Sequence, residues 1–183
     1  MVPEYPQYSS TTSASIYDEL FAQLRQYRNV PTIRIATPYY DHPAYIASLA
    51  AVTKAYLADK PAVEKHIISF HGIPERYHLR GDPYPWHCEQ TALALAEAMG
   101  WEDSDWVMTY QSVFGKDPWL RPATDDTVAG LAKQGRPVCA RASQPDLRCD
   151  STDGYVTLRL EARLDRVPRL PDGLLGDGGR ERN

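Results

Sequence analysis

Apolar positions along the first 135 residues follow two periods that alternate. In "SIYDELFAQLRQYR", Ile16, Leu20, Phe21, Leu24 and Tyr27 fall at helical spacing behind a Ser/Thr-rich lead that can cap them. The β-branched run "PTIRIATP", stopped by Pro38, predicts a short strand. "HPAYIASLAAVTKAYLA" opens with Pro43, favoured in a helix's first turn, and sets Ile46, Leu49, Ala50 and Leu57 on one side. "KHIISF" is too short for a helix and is bounded by turn residues, so it reads as a strand. "HCEQTALALAEAMG" predicts a third helix closed by Gly100 at the position just past its end. "DWVMTYQS" reads as a strand and "PATDDTVAGLAKQG" as a fourth helix ending at Gly135.

Strands and helices in alternation argue parallel βαβ units. The fold class is therefore α/β, a doubly wound parallel sheet with helices on both faces. The opening "MVPEYPQYSS" resembles the end of another strand with its turn, as if a unit preceded it. The next strand should begin near Arg136, but "RPVCARASQPD" is a poor candidate because prolines and polar residues would interrupt a buried ladder.

Composition sharpens that break. All five lysines lie at or before Lys133, whereas nine of the fifteen arginines lie in the last 48 residues. A boundary near Gly135 follows: an α/β domain over 1–135, and an atypical, poorly ordered Arg/Pro/Gly-rich tail over 136–183 with disorder expected beyond Pro171. Within the tail only "YVTLRLEARL" resembles an element. A net charge of −4 leaves no basic footprint for nucleic acid. No apolar run reaches a membrane span, and no signal-peptide pattern opens the chain. Three cysteines, Cys88, Cys139 and Cys149, form no paired framework, which points to a reduced, cytoplasmic setting.

Ligands of open parallel sheets bind beyond the carboxyl ends of the strands. Those ends gather Tyr5, Tyr8, Ser9, Tyr39, Tyr40, His71, Gln111, Ser112, Phe114 and Trp119 into an aromatic, mostly uncharged crevice with one imidazole. Such a lining suits a flat apolar ligand with a few polar anchors. Each residue also has a plainer reading. A lone histidine at a strand end is more often a hydrogen-bonded structural residue, and Trp119 after Pro118 a packing anchor. Asp82-Pro83-Tyr84-Pro85 can be a rigid turn. His66, His71, His78 and His87 match no zinc spacing, and there is neither a phosphate loop nor a G-x-S-x-G elbow. Ser69 and His71 would share one face of a strand, with no oriented acid to complete a triad.

Four blocks in order, "YPQYSSTTSAS", "YYDHPAYI", "SFHGIPERYHLRGDPYPWHC" and "TYQSVFGKDPWLRPATDDT", resemble ferrochelatase, the family that inserts ferrous iron into protoporphyrin IX. They run from about residue 3 to 135. The resemblance implies a fold of two similar α/β domains with the porphyrin between them, of which this chain looks like an incomplete middle part. It implies that His71 is the site histidine, acting as iron ligand, pyrrole proton acceptor, or both. Tyr5, Ser9, Gln111, Ser112 and Trp119 match positions lining the porphyrin cleft. Fe²⁺ is then a substrate, and no permanently bound cofactor is implied. Some members carry an iron–sulphur cluster. Here Ser10 stands where certain of them have cysteine, and the three cysteines fit no full ligand set, so no cluster is expected.

The likeness stops after the fourth predicted helix. The family continues with a strand and an acidic segment whose glutamate faces the histidine. This chain reads "RPVCARASQPDLRCDSTDGYV", and its first glutamate after Gly135 is Glu161. Lysine loss, arginine gain and lost periodicity are the marks of translation in a shifted frame. The neighbouring reading frame of the gene should then spell the family's continuation; if it does not, the idea fails. Two expectations stand: a ferrochelatase-family enzyme using His71, or an inactive fragment lacking the first domain and the acidic partner.

Overall fold

The computed structural model describes residues 1–134 apart from 59, 61 and 114, together with the backbone of 138–142 and 156–158. Among the described residues four parallel strands make one sheet. They are β1 (Lys65–His71), β2 (Trp106–Gln111), β3 (Val138–Ala142) and β4 (Val156–Leu158), in the order β2-β1-β3-β4. Among the described residues five helices accompany them: α1 (Ser13–Leu24), α2 (Pro43–Leu57), α3 (Glu75–Leu79), α4 (Tyr84–Met99) and α5 (Thr124–Lys133). The mixed α/β architecture with a parallel sheet and flanking helices is as the alternating periods imply.

The strand order places the helices. The chain leaves β1 for β2 on one side, then crosses back past β1 to β3 on the other. Right-handed crossovers in opposite directions put α4 and α5 on opposite faces. The packing agrees. Ile68 and Phe70 of β1 and Tyr110 of β2 bury against Tyr84, Cys88, Ala92 and Leu95 of α4, with Ile46, Leu49 and Ala50 of α2 completing that core. Burying a side chain of that size contributes about 1.5–3 kcal/mol. On the other face, Ser69 and Thr109 meet Thr124, the first residue of α5, through hydroxyl contacts of 2.8 and 2.9 Å.

Capping chemistry sets the helix ends. Pro43 begins α2, whose cap is His42, its ring nitrogen accepting from the Ala44 amide. Gly100 closes α4 at φ 72°, the left-handed geometry that glycine adopts without a Cβ clash. α4 starts at Tyr84, three residues before the predicted His87, because Pro85 fits the first helical turn instead of breaking it. The five-residue α3 has too few positions to show a period.

Two strand expectations are corrected. "PTIRIATP" does not form a strand. The Met1 amino group donates to the Arg34 carbonyl (2.7 Å) and the Ala36 amide to the Met1 carbonyl (3.0 Å), which is the parallel pattern at a single residue. β-Propensity describes fit to a paired, half-buried surface, and here the pairing is one residue long. Conversely, the poor candidate "RPVCARASQPD" contains β3, which pairs with β1 from Lys65↔Val138 to Ser69↔Ala142. Pro137 and Pro145 flank the five paired residues, so neither interrupts the ladder. The sheet thus continues past Gly135, and β4 falls inside "YVTLRLEARL". The rest of the expected tail, the side chain of Cys139, Cys149 and the residues beyond Pro171 lie outside the described residues. No helix among the described residues is long and apolar enough to cross a membrane.

Candidate functional site

His71 is the last residue of β1 and pairs with Gln111, the last of β2. Between the neighbours β1 and β3 the chain diverges, β1 being followed by β2 on one side and β3 by β4 on the other. That divergence is the switch point where α/β sheets open a crevice. His71 Nδ1 lies 2.7 Å from the Gly72 carbonyl oxygen. A carbonyl only accepts, so Nδ1 carries the proton and the lone pair of the neutral ring is on Nε2. On the same face, the Ser69 hydroxyl contacts the Thr124 hydroxyl and reaches the Gln111 side-chain oxygen at 3.4 Å.

The loops after β1 and β2 are fastened to each other. Gly72 donates to the Gln111 carbonyl (2.8 Å), Leu120 to the Ile73 carbonyl (3.1 Å) and Glu75 to the Pro118 carbonyl (2.9 Å). Pro74 and Trp119 form an isolated antiparallel bridge, and Arg76 pairs with Asp117 across the surface. Glycine is needed at 72: a Cβ there would lie 2.9 Å from the Gln111 carbonyl oxygen and 3.2 Å from the Trp119 ring. Trp119 is thereby held against the backbone that follows His71. Ser112, next after Gln111, has φ 67°, a left-handed conformation that costs a non-glycine residue about 1–2 kcal/mol. Fold-level pairing thus brings His71, Gln111, Ser112 and Trp119 to one edge.

Ser9 reaches this group indirectly. It is 1% exposed, and its hydroxyl donates to Asp82 Oδ2 at 3.0 Å. The Ser10 amide and hydroxyl donate to the same oxygen, both at 2.7 Å. Burial opposes a charge on Asp82, but the bonds from Ser10, Tyr84 and Ser9 outweigh it and hold the carboxyl below its usual range. Tyr84, whose amide donates to Asp82 Oδ1, sends its hydroxyl to the His71 carbonyl at 2.9 Å. Tyr5 is 40% exposed, and among the described residues no hydrogen bond or ring contact ties it to His71. Tyr40 stacks on His87 at 4.0 Å, and the Tyr8 amide donates to His87 Nδ1. Desolvation lowers the His87 pKa against the pull of Asp82 and Asp41. Phe114 lies outside the described residues.

The family model described as "Ferrochelatase" matches residues 1–142. The chain belongs to the ferrochelatase family. Among curated ferrochelatases, that of Aeromonas hydrophila subsp. hydrophila is 44% identical over 135 residues, 74% of this chain and 42% of its own length. The protein of Pectobacterium atrosepticum is 46% identical over 135 residues, again 74% of this chain and 42% of its own. That of Rhodopseudomonas palustris is 48% identical over 136 residues, 74% and 39% respectively. The chain therefore spans about two fifths of the length of the ferrochelatases it matches.

Sequence reasoning missed Asp82, Tyr84 and Thr124 as members of this edge. Asp82 left one signal, an aspartate two residues before a helix start, where its carboxylate can accept from the first-turn amides. Thr124 left none, because its role arises from α5 meeting Ser69 and Thr109 across the sheet. Among the described residues no group of three or more His, Cys, Asp or Glu side chains could hold a metal ion. His71 would contribute a single nitrogen there.

Proposed function

We propose that the chain contributes to insertion of Fe²⁺ into protoporphyrin IX, with His71 as the catalytic and metal-contacting residue. Family membership supports the reaction, and one observation carries the residue: His71 ends the central strand β1 at the switch point, its Nδ1 proton bonded to Gly72. Metal insertion removes two pyrrole protons and strips water from the iron. An imidazole whose Nε2 holds the lone pair can accept one of those protons or donate to the metal. Trp119 offers an aromatic surface for a flat macrocycle, Gln111 and Ser112 offer polar anchors, Tyr5 completes the proposed substrate contacts, and Ser9 supports the site through its bond to Asp82. A porphyrin held bent against such a wall exposes its nitrogen lone pairs, with remote contacts sustaining the distortion.

A second reading is porphyrin binding without turnover. One observation favours it: the segment after Gly135 has no glutamate before Glu161 to serve as the acidic partner. Both readings meet in one assay, zinc or iron insertion into a soluble porphyrin by the purified chain beside a His71→Ala variant. Loss of a catalytic base should slow turnover by roughly 10²–10⁴. A variant as fast as the parent ends the role of His71, and porphyrin binding with no insertion by either protein supports the second reading.

A further inference from the structure

We infer that Tyr84, set in place by Asp82, is a positioning residue for the His71 imidazole. The inference rests on His71 being the site residue. The amides of His66 and Gly72 both bond towards β2, to the Asp105 and Gln111 carbonyls. Backbone groups alternate sides along a strand, so the odd residues, His71 included, point theirs towards β3. Among the described residues the β1–β3 register runs to Ser69↔Ala142. On that side the Tyr84 hydroxyl donates to the His71 carbonyl at 2.9 Å.

This fixes one peptide unit at both ends. Its oxygen, on His71, is held by Tyr84, and its N–H, on Gly72, by the Gln111 carbonyl. The imidazole in turn bonds through Nδ1 to the next carbonyl, that of Gly72. The Gly72 carbonyl follows that fixed unit by one residue, so a turn of the peptide plane would carry this acceptor, and with it the Nδ1 bond, out of place. Tyr84 is suited to the task, being 4% exposed with its ring packed in the core and its hydroxyl beside the Cys88 thiol. Asp82 holds the first turn of α4 by accepting from the Tyr84 amide, while its other oxygen collects three bonds from Ser9 and Ser10. The N-terminal loop and His71 are thereby linked through the side chains of Asp82 and Tyr84.

The test uses Tyr84→Phe, which keeps the ring and deletes one hydroxyl, and Asp82→Asn. If Asp82→Asn does not fold, Ser10→Ala, which removes one bond to the carboxylate, takes its place. The primary readout is the ¹⁵N shift pair of the labelled His71 ring, which reports the tautomer and needs no turnover. In the parent, Nδ1–H should dominate; in Tyr84→Phe the Nε2–H form should gain at least several-fold, with a smaller shift of the same sign in the Asp82 or Ser10 variant. Where the parent inserts metal, kcat should fall about tenfold with KM within twofold, and the loss should vanish in a His71→Ala background, as coupled residues require. An unchanged tautomer in folded Tyr84→Phe overturns the inference, as does an equal rate loss with and without His71. A parent that turns nothing over defeats the proposed activity alone, and the tautomer measurement still decides the positioning role.

Discussion

Two short runs, "TIRIAT" over 32–37 and "HIISFH" over 66–71, share the isoleucine-rich composition of strands but end in opposite conditions. In the second, Ile67, Ile68 and Phe70 are at most 1% exposed, with a parallel strand on either side and helices above and below. In the first, Ile33 is 37% exposed and the backbone is paired at one residue. The difference lies in neighbours. A strand is stabilised by the ladder and the faces that cover it, and intrinsic preference supplies a fraction of that. The proposed site histidine, His71, sits at the end of the well-supported run, where a rigid scaffold can hold one side chain in one place.

The largest break in this contrast should come from Phe70→Ala. Phe70 is fully buried between β1's neighbours and α4, and truncating such a ring costs about 3–5 kcal/mol. Urea unfolding should show a midpoint shifted far down, to the point where little folded protein remains. A cost under about 1 kcal/mol would mean that the β1–α4 core is packed differently from the description above.

Gly72→Ala probes the end of the same run and should cost less, about 1–3 kcal/mol, because the added methyl meets a backbone carbonyl that cannot swing aside. Its effect should be concentrated at the site. Trp119 fluorescence and the His71 ring signals should both shift, whereas signals from α2 should stay in place. Unmoved Trp119 fluorescence would mean that the ring does not rest on this glycine.

Much of this architecture was legible because apolar periods of 3.6 and 2 are written locally. α1, α2, α5, β1 and β2 follow from spacing, and Pro43 and Gly100 mark ends by chemistry that acts within one turn. What was illegible depends on distant partners. The 31–37 run needs a continuous neighbour that its own residues cannot announce, and β3 hides between two prolines that look disruptive until the paired positions are known. The site divides in the same way. His71 could be placed at a strand end from its flanking turn residues, but nothing in "SFHGIP" tells that Gly72 makes room for a tryptophan 47 positions later. Nor does it tell that the Tyr84 hydroxyl bonds the His71 carbonyl. Ser9 matched a cleft position by resemblance, and its hydroxyl turns out to be engaged with Asp82, a bond between residues 73 positions apart.

The smallest expected effect completes the comparison from its other side. Ile33 lines a shallow apolar groove with Phe21, Leu24, Val30 and Pro31, and Val30 is 54% exposed. Substituting surface residues away from packed features changes stability by roughly 0.5 kcal/mol or less. Val30→Ser with Ile33→Ser should therefore leave the urea midpoint nearly unmoved. The same pair should weaken binding of a hydrophobic dye, because contiguous exposed apolar surface is what such a dye reports. The two readouts separate the ideas. A large loss of stability would mean that the 31–37 run is a supported element after all. Unchanged dye binding would place the accessible apolar surface elsewhere on the chain.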